Sequence, residues 1–474
     1  MNRREFLGGI FGAGMCAELG WTWIPGLSRS SGLLMKMGVV SDLHLKEPGD
    51  EKTLLVALKY FRDCGVDAVL IPGDITDTGR IFQLKLLADA WFEVFPNDKA
   101  PDGHHVERLF IYGNHCVDAS IWKSRLKDDP ELAMRDAIGF GDNRARAWEG
   151  LFHEEFQPIW MKTVKGIPVI GAHWEDRGAG VSIEQFMKAH GRELDPNLPF
   201  IYTQHAHPKD TCIGSWAWGH DDGRATRALS PYPNAVAFSG HSHYTLTDER
   251  SVWQGAFTSV NAGSLFYSSL DYSLRENADG NSFGFADGER PRRMQHPNTF
   301  DGRQGMVVSF YEDHLAIERR EFVYGQSLGD DWIVPLPAAT ETYSYAERAK
   351  MRVAPQFAED ATVTVEQTEP KDEKDVRRIV VRFPAAEPQQ KCRVFEYEVS
   401  AILCEDDVDL VQVQRRMFSP DFHLPESKLV KEVAFTFAAE DLPVKGRYRF
   451  EIRPVECFGR KGAAITSEVV SLKA

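Results

Sequence analysis

From residue 33 the chain alternates short apolar runs with longer stretches whose apolar positions repeat at helical spacing. KMGVVSD (36–42) and VDAVLIPGD (66–74) are buried strands by length and composition. Between them EKTLLVALKYFRDCG (51–65) sets Leu54, Leu55, Leu58 and Phe61 on one helical face and ends at Gly65. GRIFQLKLLADAWFEVF (79–95) predicts a second helix and ERLFIYGN (107–114) a third strand. GIPVIGAHW, PFIYTQH and NAVAFSGHSH repeat the strand pattern further on, with helical segments at 144–156 and 182–191 between. Strands alternating with helices predict an α/β fold with helices on both sheet faces.

The rhythm changes after residue 250. AFTSVNAGSLFY (256–267) and QGMVVSFYEDHLAIERREFV (304–323) are strands without helices, expected to add antiparallel strands to a second sheet. Between them lies a long segment rich in Gly, Asn, Asp and Arg, and loops of this length are usually functional or mobile rather than idle. Residues 329–351 read as a linker. From 352 to 474 short strands follow one another, separated by turns: ATVTVEQ, RIVVRFP, FEYEVSAIL, KEVAFTFA and RYRFEIRPV. That pattern predicts a β-sandwich. The hairpin RYRFEIRPVECFGRKG with its following strand resembles a fibronectin type III or Ig-like module.

The first 32 residues differ from the rest. Arg3-Arg4 precedes Phe6-Leu7 and a weakly apolar Gly- and Ala-rich run, which resembles a twin-arginine export signal. The expected consequence is a periplasmic or cell-envelope protein whose mature chain starts near Ser28–Gly32. No later stretch has about 18 continuous apolar residues, so no span is expected in the mature chain. A lipoprotein reading of Cys16 is disfavoured by Met15. The six cysteines beyond it form no CxxC, which leaves zinc knuckles and thioredoxin chemistry without support. Cys392 and Cys404 are placed for a hairpin disulfide. Composition is that of a globular protein, and a net charge of −15 excludes a nucleic-acid-coating role. It permits a small phosphorylated substrate where a local metal inverts the field.

The candidate chemistry sits where the strands stop. Successive apolar runs end Asp42-Leu43-His44, Gly73-Asp74-Ile75-Thr76-Asp77, Gly113-Asn114-His115, His205-Ala206-His207 and Gly240-His241-Ser242-His243. Ligands of α/β sheets bind beyond the carboxyl ends of the strands, so these side chains converge on one crevice. Asp, Asn and His donors suit first-row divalent metals such as Mn, Fe, Zn or Co. Gly73, Gly113 and Gly240 are expected to make room for close backbone approach.

The order D-x-H, GDxxD, GNH, H, GHxH resembles the calcineurin-like metallophosphoesterase superfamily over residues 33–328. The resemblance implies a four-layer αββα sandwich, followed here by the smaller all-β sandwich. It also implies two divalent metal ions and hydrolysis of phosphate mono- or diesters by a metal-bound hydroxide. Carried over by motif, Asp42, His44 and His243 hold one ion, and Asn114, His205 and His241 hold the other. Asp74 bridges them, and His115 is the histidine facing the phosphate. Two cations about 3.5–4 Å apart repel, which is why a shared carboxylate is required between them.

His207 competes with His205 in QHAHP, and His205 is favoured because it lies nearer the strand end. His207, with His220 and Arg224 of the following Trp-rich loop, is then expected to face substrate. Cys116 departs from the family, which has Asp or Glu after Gly-Asn-His, and this puts in doubt how His115 is kept protonated. Asp118 or the long loop is the expected replacement. A cysteine-phosphatase loop is excluded, since Trp122 stands where HCx5R needs arginine. A non-catalytic envelope or carbohydrate-binding protein, with the β-sandwich as its working part, is the rival reading, and the intact ligand set argues against it.

Overall fold

The structure is a computed structural model that describes residues 32–119, 130–174, 183–214, 217–270, 300–338, 343–368, 377–405, 408–438, 442 and 445–472. The export-signal segment, Trp216 and the arginines of the long loop (Arg290, Arg292, Arg293) lie outside the described residues.

The α/β domain is built on two sheets. Strands β1 (Leu33–Val39), β2 (Ala68–Ile71) and β3 (Glu107–Phe110) begin the first. Strands β4 (Ile159–Val164), β5 (Ile167–Ala172), β6 (Phe200–Thr203), β7 (Ala235–Ser239), β8 (Val252–Gln254) and β9 (Thr258–Asn261) form the second. The chain then returns to the first sheet with β10 (Gln304–Tyr311), β11 (His314–Glu321), β12 (Gln326–Ser327) and β13 (Trp332–Pro335). The order of the first sheet is β12-β11-β10-β1-β2-β3, with β13 also on β11. The second runs β4-β5-β6-β7-β9-β8.

The expectation for the segment after residue 250 is thus corrected in part. β9 joins the second sheet in parallel with β7, whereas β10 pairs antiparallel with β1 in the first. The reason lies in burial. Met306, Val308 and Phe310 alternate along β10 and fill the space between the sheets. The segment read as a linker is also partly built into the fold. Trp332 and Val334 of β13 are buried in the same core, and a helix runs over Tyr345–Met351.

Met37, Val39, Leu70 and Ile111 from the first sheet meet Val169, Ile201, Val236 and Phe238 from the second. Helices Lys52–Asp63, Ile81–Val94 and Asn143–Phe152 cover the outer face of the first sheet through Phe61, Leu87, Trp91 and Trp148. Helices Ile183–His190 and Arg224–Leu229 cover that of the second, with Met187 and Leu229 against Ile170, Tyr202 and Ala237. Each fully buried aliphatic or aromatic side chain contributes about 1.5–3 kcal/mol of transfer free energy. Three apolar interfaces therefore stack two sheets between two helical layers, and the strand ends are left free to carry polar groups.

The C-terminal region is all-β. Strands β14 (Thr364–Thr368), β15 (Arg378–Pro384), β16 (Glu396–Glu405), β17 (Val408–Phe418), β18 (Glu432–Ala438), β19 (Gly446–Val455), β20 (Ile465–Thr466) and β21 (Val470–Leu472) pair antiparallel throughout. They form one sheet of order β14-β15-β18 and another of order β17-β16-β19-β20, with β21 on β19. Val381, Phe383 and Phe435 face Val399, Phe450 and Ile452 across their core. A separate apolar cluster joins this region to the α/β domain, with Leu270 and Ala349 packed among Phe395, Phe418, Phe422 and Phe458. Beside it the buried Gln304 amide donates to the His423 carbonyl at 2.7 Å. Cys392 and Cys404 are free thiols, so the hairpin disulfide is not formed. Among the described residues no helix is long and apolar enough to cross a membrane.

Candidate metal centre

Strand β1 ends at Val39, and the next turn of chain carries Asp42 and His44. Both have left-handed backbone conformations, with φ of 52° and 45°. Asp74 after β2 (43°) and His241 and His243 after β7 (70° and 58°) do the same. Left-handed non-glycine residues cost free energy and gather where surrounding structure over-determines them. Five of the eight candidate residues share this conformation, so the strand ends are bent to bring short polar side chains together. Glycine makes the bends possible. A Cβ on Gly113 would collide with the Asp74 carboxylate, and one on Gly240 with Asp42 and Ser41.

The structure brings Asp42, His44, Asp74, His115, His205, His241 and His243 together in one largely buried cluster, and Asn114 stands beside it as the chain neighbour of His115. Asp42, His44 and His243 place ligand atoms within 4.8 Å of one another, and so do Asp74, His205 and His241. His44, Asp74 and His115 make a third such group that joins the other two. Asp74 stands at the centre. Its Oδ2 lies 3.0 Å from His205 Nε2 and 3.8 Å from His44 Nε2. Its Oδ1 accepts the His115 backbone N–H at 2.8 Å. Asp42 Oδ1 is 3.2 Å from His243 Nε2, and both its oxygens accept the His241 backbone N–H at 3.0–3.1 Å.

Hydrogen bonds orient the imidazoles. His205 Nδ1 donates to the Pro72 carbonyl at 2.7 Å, which turns Nε2 toward Asp74. His243 Nδ1 is held by the Tyr267 carbonyl and Ser264 Oγ, both at 3.2 Å, leaving Nε2 toward Asp42 and His44. Such outer contacts fix tautomer and ring direction at metal sites. Asn114 Oδ1 is buried without a hydrogen-bond partner among the described residues. Unsatisfied buried polar atoms of this kind cost about 1–3 kcal/mol each. A cation bound at such an atom removes that cost, and N/O donors of this set fit divalent first-row metals.

The charges respond to one another. Burial alone would raise Asp42 and Asp74. Instead His243 and His205 hold Asp42, and His205, His44 and His115 hold Asp74, well below the usual carboxylate range. Burial opposes protonation of His205 too, but Asp74 and Asp42 carry it up to about 9. His241 goes the other way, down to about 3, through burial and the neighbouring His205. The cluster is a pair of retained anions surrounded by groups competing to neutralise them.

Three expected substrate contacts stand elsewhere. His207 is fully buried, and its two ring nitrogens pair with Ser239 Oγ and Ser242 Oγ at 2.6 Å each. Burial pushes it well below the ordinary histidine value, and no ring nitrogen is left for substrate. His220 donates from Nε2 to the Cys212 carbonyl at 3.0 Å and accepts the Asp210 N–H at its Nδ1. Arg224 pairs with Asp222 at 2.9 Å on the half-exposed start of a short helix. These are fold-holding contacts, made because the chain between His205 and the helix folds back on itself through the bridge from His207 to His220.

The carboxylate beside His115 is Asp77, not Asp118. His115 Nδ1 donates to the Asp77 carbonyl at 2.9 Å, and the Asp77 carboxylate lies 3.7 Å from that nitrogen and 3.3 Å from His44 Nδ1. Asp118 instead accepts the Trp174 indole N–H at 2.8 Å. Cys116 is fully buried in the apolar layer behind the first sheet, and burial pushes its thiol up to about 11. An unreactive packed thiol is the result. Asp77 stood in GDITD as the second aspartate, and that spacing was the signal for it. Of the aromatic surround, the Trp-rich loop after His205 marked Trp218, whereas Trp174, Phe266 and Tyr267 carried no such signal. Trp174 and Trp218 flank His241, while Phe266 and Tyr267 flank His44 and His243.

Residues 35–245 match the family Calcineurin-like phosphoesterase. No curated protein matches the chain. Among solved structures it is similar to a dimetal phosphatase from Danio rerio, with 11% identity, 64% of this chain and 99% of that chain covered, and a TM-score of 0.34. It is similar to GAP50, described as the anchor in the inner membrane complex of Plasmodium, with 8% identity, 68% and 94% covered, and a TM-score of 0.36. A novel archaeal phosphodiesterase gives 11% identity, 63% and 100% covered, and a TM-score of 0.23. With the family match over the strands that carry the cluster, the chain bears a calcineurin-like phosphoesterase domain and is a metal-dependent phosphoester hydrolase.

Proposed function

We propose that this chain is an exported binuclear phosphoesterase acting on small phosphate mono- or diesters. Asp42, His44 and His243 would hold one divalent ion, Asn114, His205 and His241 the other, with Asp74 shared. When bound, two such ions supply Lewis acidity to the phosphoryl oxygens and lower the pKa of water at the site. The observation that carries the reading is the Asp74 carboxylate, which reaches both ligand groups from the centre of the cluster.

The chain's own residues do the rest. Hydrogen bonds between the imidazoles and the Pro72 and Tyr267 carbonyls and Ser264 Oγ keep the ligand atoms aimed inward without substrate. His115, with its Nδ1 proton on the Asp77 carbonyl, presents Nε2 as the group that protonates the leaving alkoxide. Asp77 stabilises that imidazole when it is charged. The Arg3-Arg4 segment supports export by the twin-arginine route, and the two facing antiparallel sheets of the C-terminal region support a fibronectin type III-like module.

The test is hydrolysis of p-nitrophenyl phosphate and bis(p-nitrophenyl) phosphate by the purified chain, loaded in turn with Mn, Fe, Zn or Co. Metal-dependent release of nitrophenol from either ester is expected. Stable binding of metal with no turnover of either favours the binding-protein reading instead.

A further inference from the structure

Trp218 is 60% exposed, although it stands against a metal-site histidine. Its ring stacks on His241 with centroids 4.5 Å apart and planes at 28°. It is held there deliberately. The Trp218 backbone N–H donates to the Tyr244 hydroxyl at 3.0 Å, and the next residue, Gly219, turns with φ of 94° hard against Ser242. Trp174 also stands against His241, tilted at 5.8 Å and fixed through its indole N–H by Asp118. One tryptophan is thus tied down and half covered, whereas the other offers an indole face to solvent one ring away from the ligand group of Asp74, His205 and His241.

A tryptophan needed only for packing would be buried, since exposing indole forfeits the largest apolar contribution any side chain offers. A rigid indole open to solvent beside a catalytic centre suits offset stacking with another planar ring. We propose that Trp218 is a specificity-determining residue: its exposed face receives a planar aromatic group on the organic arm of the phosphoester. The substrate class is then aryl, arylalkyl or nucleoside-like phosphate esters, in preference to saturated alkyl or polyol phosphates. The inference rests on the phosphoesterase reading above and adds the substrate class to it.

The experiment compares matched esters on the Mn-loaded full chain. Benzyl and cyclohexylmethyl phosphates, each as monoester and symmetric diester, have similar alkoxide leaving groups and differ in ring planarity. The expected result is a preference of about tenfold in kcat/KM for the benzyl member, expressed mainly in KM. Trp218→Leu should bring the ratio near unity, and Trp218→Phe should retain most of it. Equal kcat/KM for the two esters in the wild-type chain overturns the proposal, as does a ratio unchanged in Trp218→Leu. Turnover of the nitrophenyl esters by the same preparation then shows that the phosphoesterase reading stands without it. No hydrolysis of any ester overturns both.

Discussion

Asp74 and Glu396 are both buried carboxyls, and the two parts of the molecule treat them in opposite ways. Around Asp74, three imidazoles outweigh burial and the acid stays charged. Glu396, on β16 of the all-β region, is pushed by burial up to about 7, with Arg416 opposing at 3.0 Å and Glu398 reinforcing. The difference is one of position. Asp74 lies past the end of a strand, where neighbouring strand ends contribute polar groups from two sheets. Glu396 lies within a strand whose neighbours are committed to pairing and packing. A carboxylate kept charged inside a protein needs a cation beside it, and His205, carried up to about 9, is one that a metal can replace. Glu396 has an arginine beside it, but burial and the neighbouring Glu398 outweigh that pairing.

The hardest blow to this contrast is Asp74→Asn, which keeps the shape and removes the anion. Activity should fall by about three orders of magnitude or more, and metal content should drop below two ions per chain. Full activity would end the case for a shared carboxylate. Next in size is a comparison of two histidines that stand two residues apart. His205→Ala should lose one ion and about a hundredfold or more in turnover. His207→Ala, which strips two buried serines of their partner, should lower Tm while leaving metal stoichiometry intact. Equal metal loss from both would erase the distinction drawn between them. His115→Gln should keep both ions and lower kcat by about a hundredfold, with loss of the alkaline limb of the pH–rate profile. Retention of that limb would assign protonation to another group.

The smallest effect lies in the all-β region. A carboxyl whose pKa rises on folding stabilises the folded state fully below its unfolded value. That stability is lost as pH rises from about 4.5 to about 7, and no further loss follows above. Glu396→Gln should therefore gain a few degrees in Tm over the wild type at pH 8 and nothing near pH 4.5. A gain independent of pH would show that Glu396 is charged in the folded protein.

Most of the candidate metal centre was legible because it is local in sequence: each candidate ligand follows closely on an apolar strand, and the glycines mark the bends. Asn114 and His115 were readable as ligand and neighbour although they open a short helix, Asn114–Val117, rather than ending a strand. What was hidden depended on approach in space. Asp77 reaches His115 only because the two loops cross. His207 has the residue type and the spacing of a ligand, yet Ser239 and Ser242 enclose it. The return of β10 to the first sheet and the pairing of β13 with β11 depend on contacts between distant segments. In β17 residues Asp409–Gln412 are exposed while Met417 and Phe418 are buried, so the strand is held by pairing with β16 rather than by an apolar signature of its own.

The most direct measurement is of metal content and hydrolysis on one sample. The purified chain should carry two divalent ions, and chelation should abolish hydrolysis of nitrophenyl phosphate esters. Addition of Mn²⁺ should restore both together. Hydrolysis that survives complete removal of metal, or two bound ions with no hydrolysis of any ester, would contradict the account.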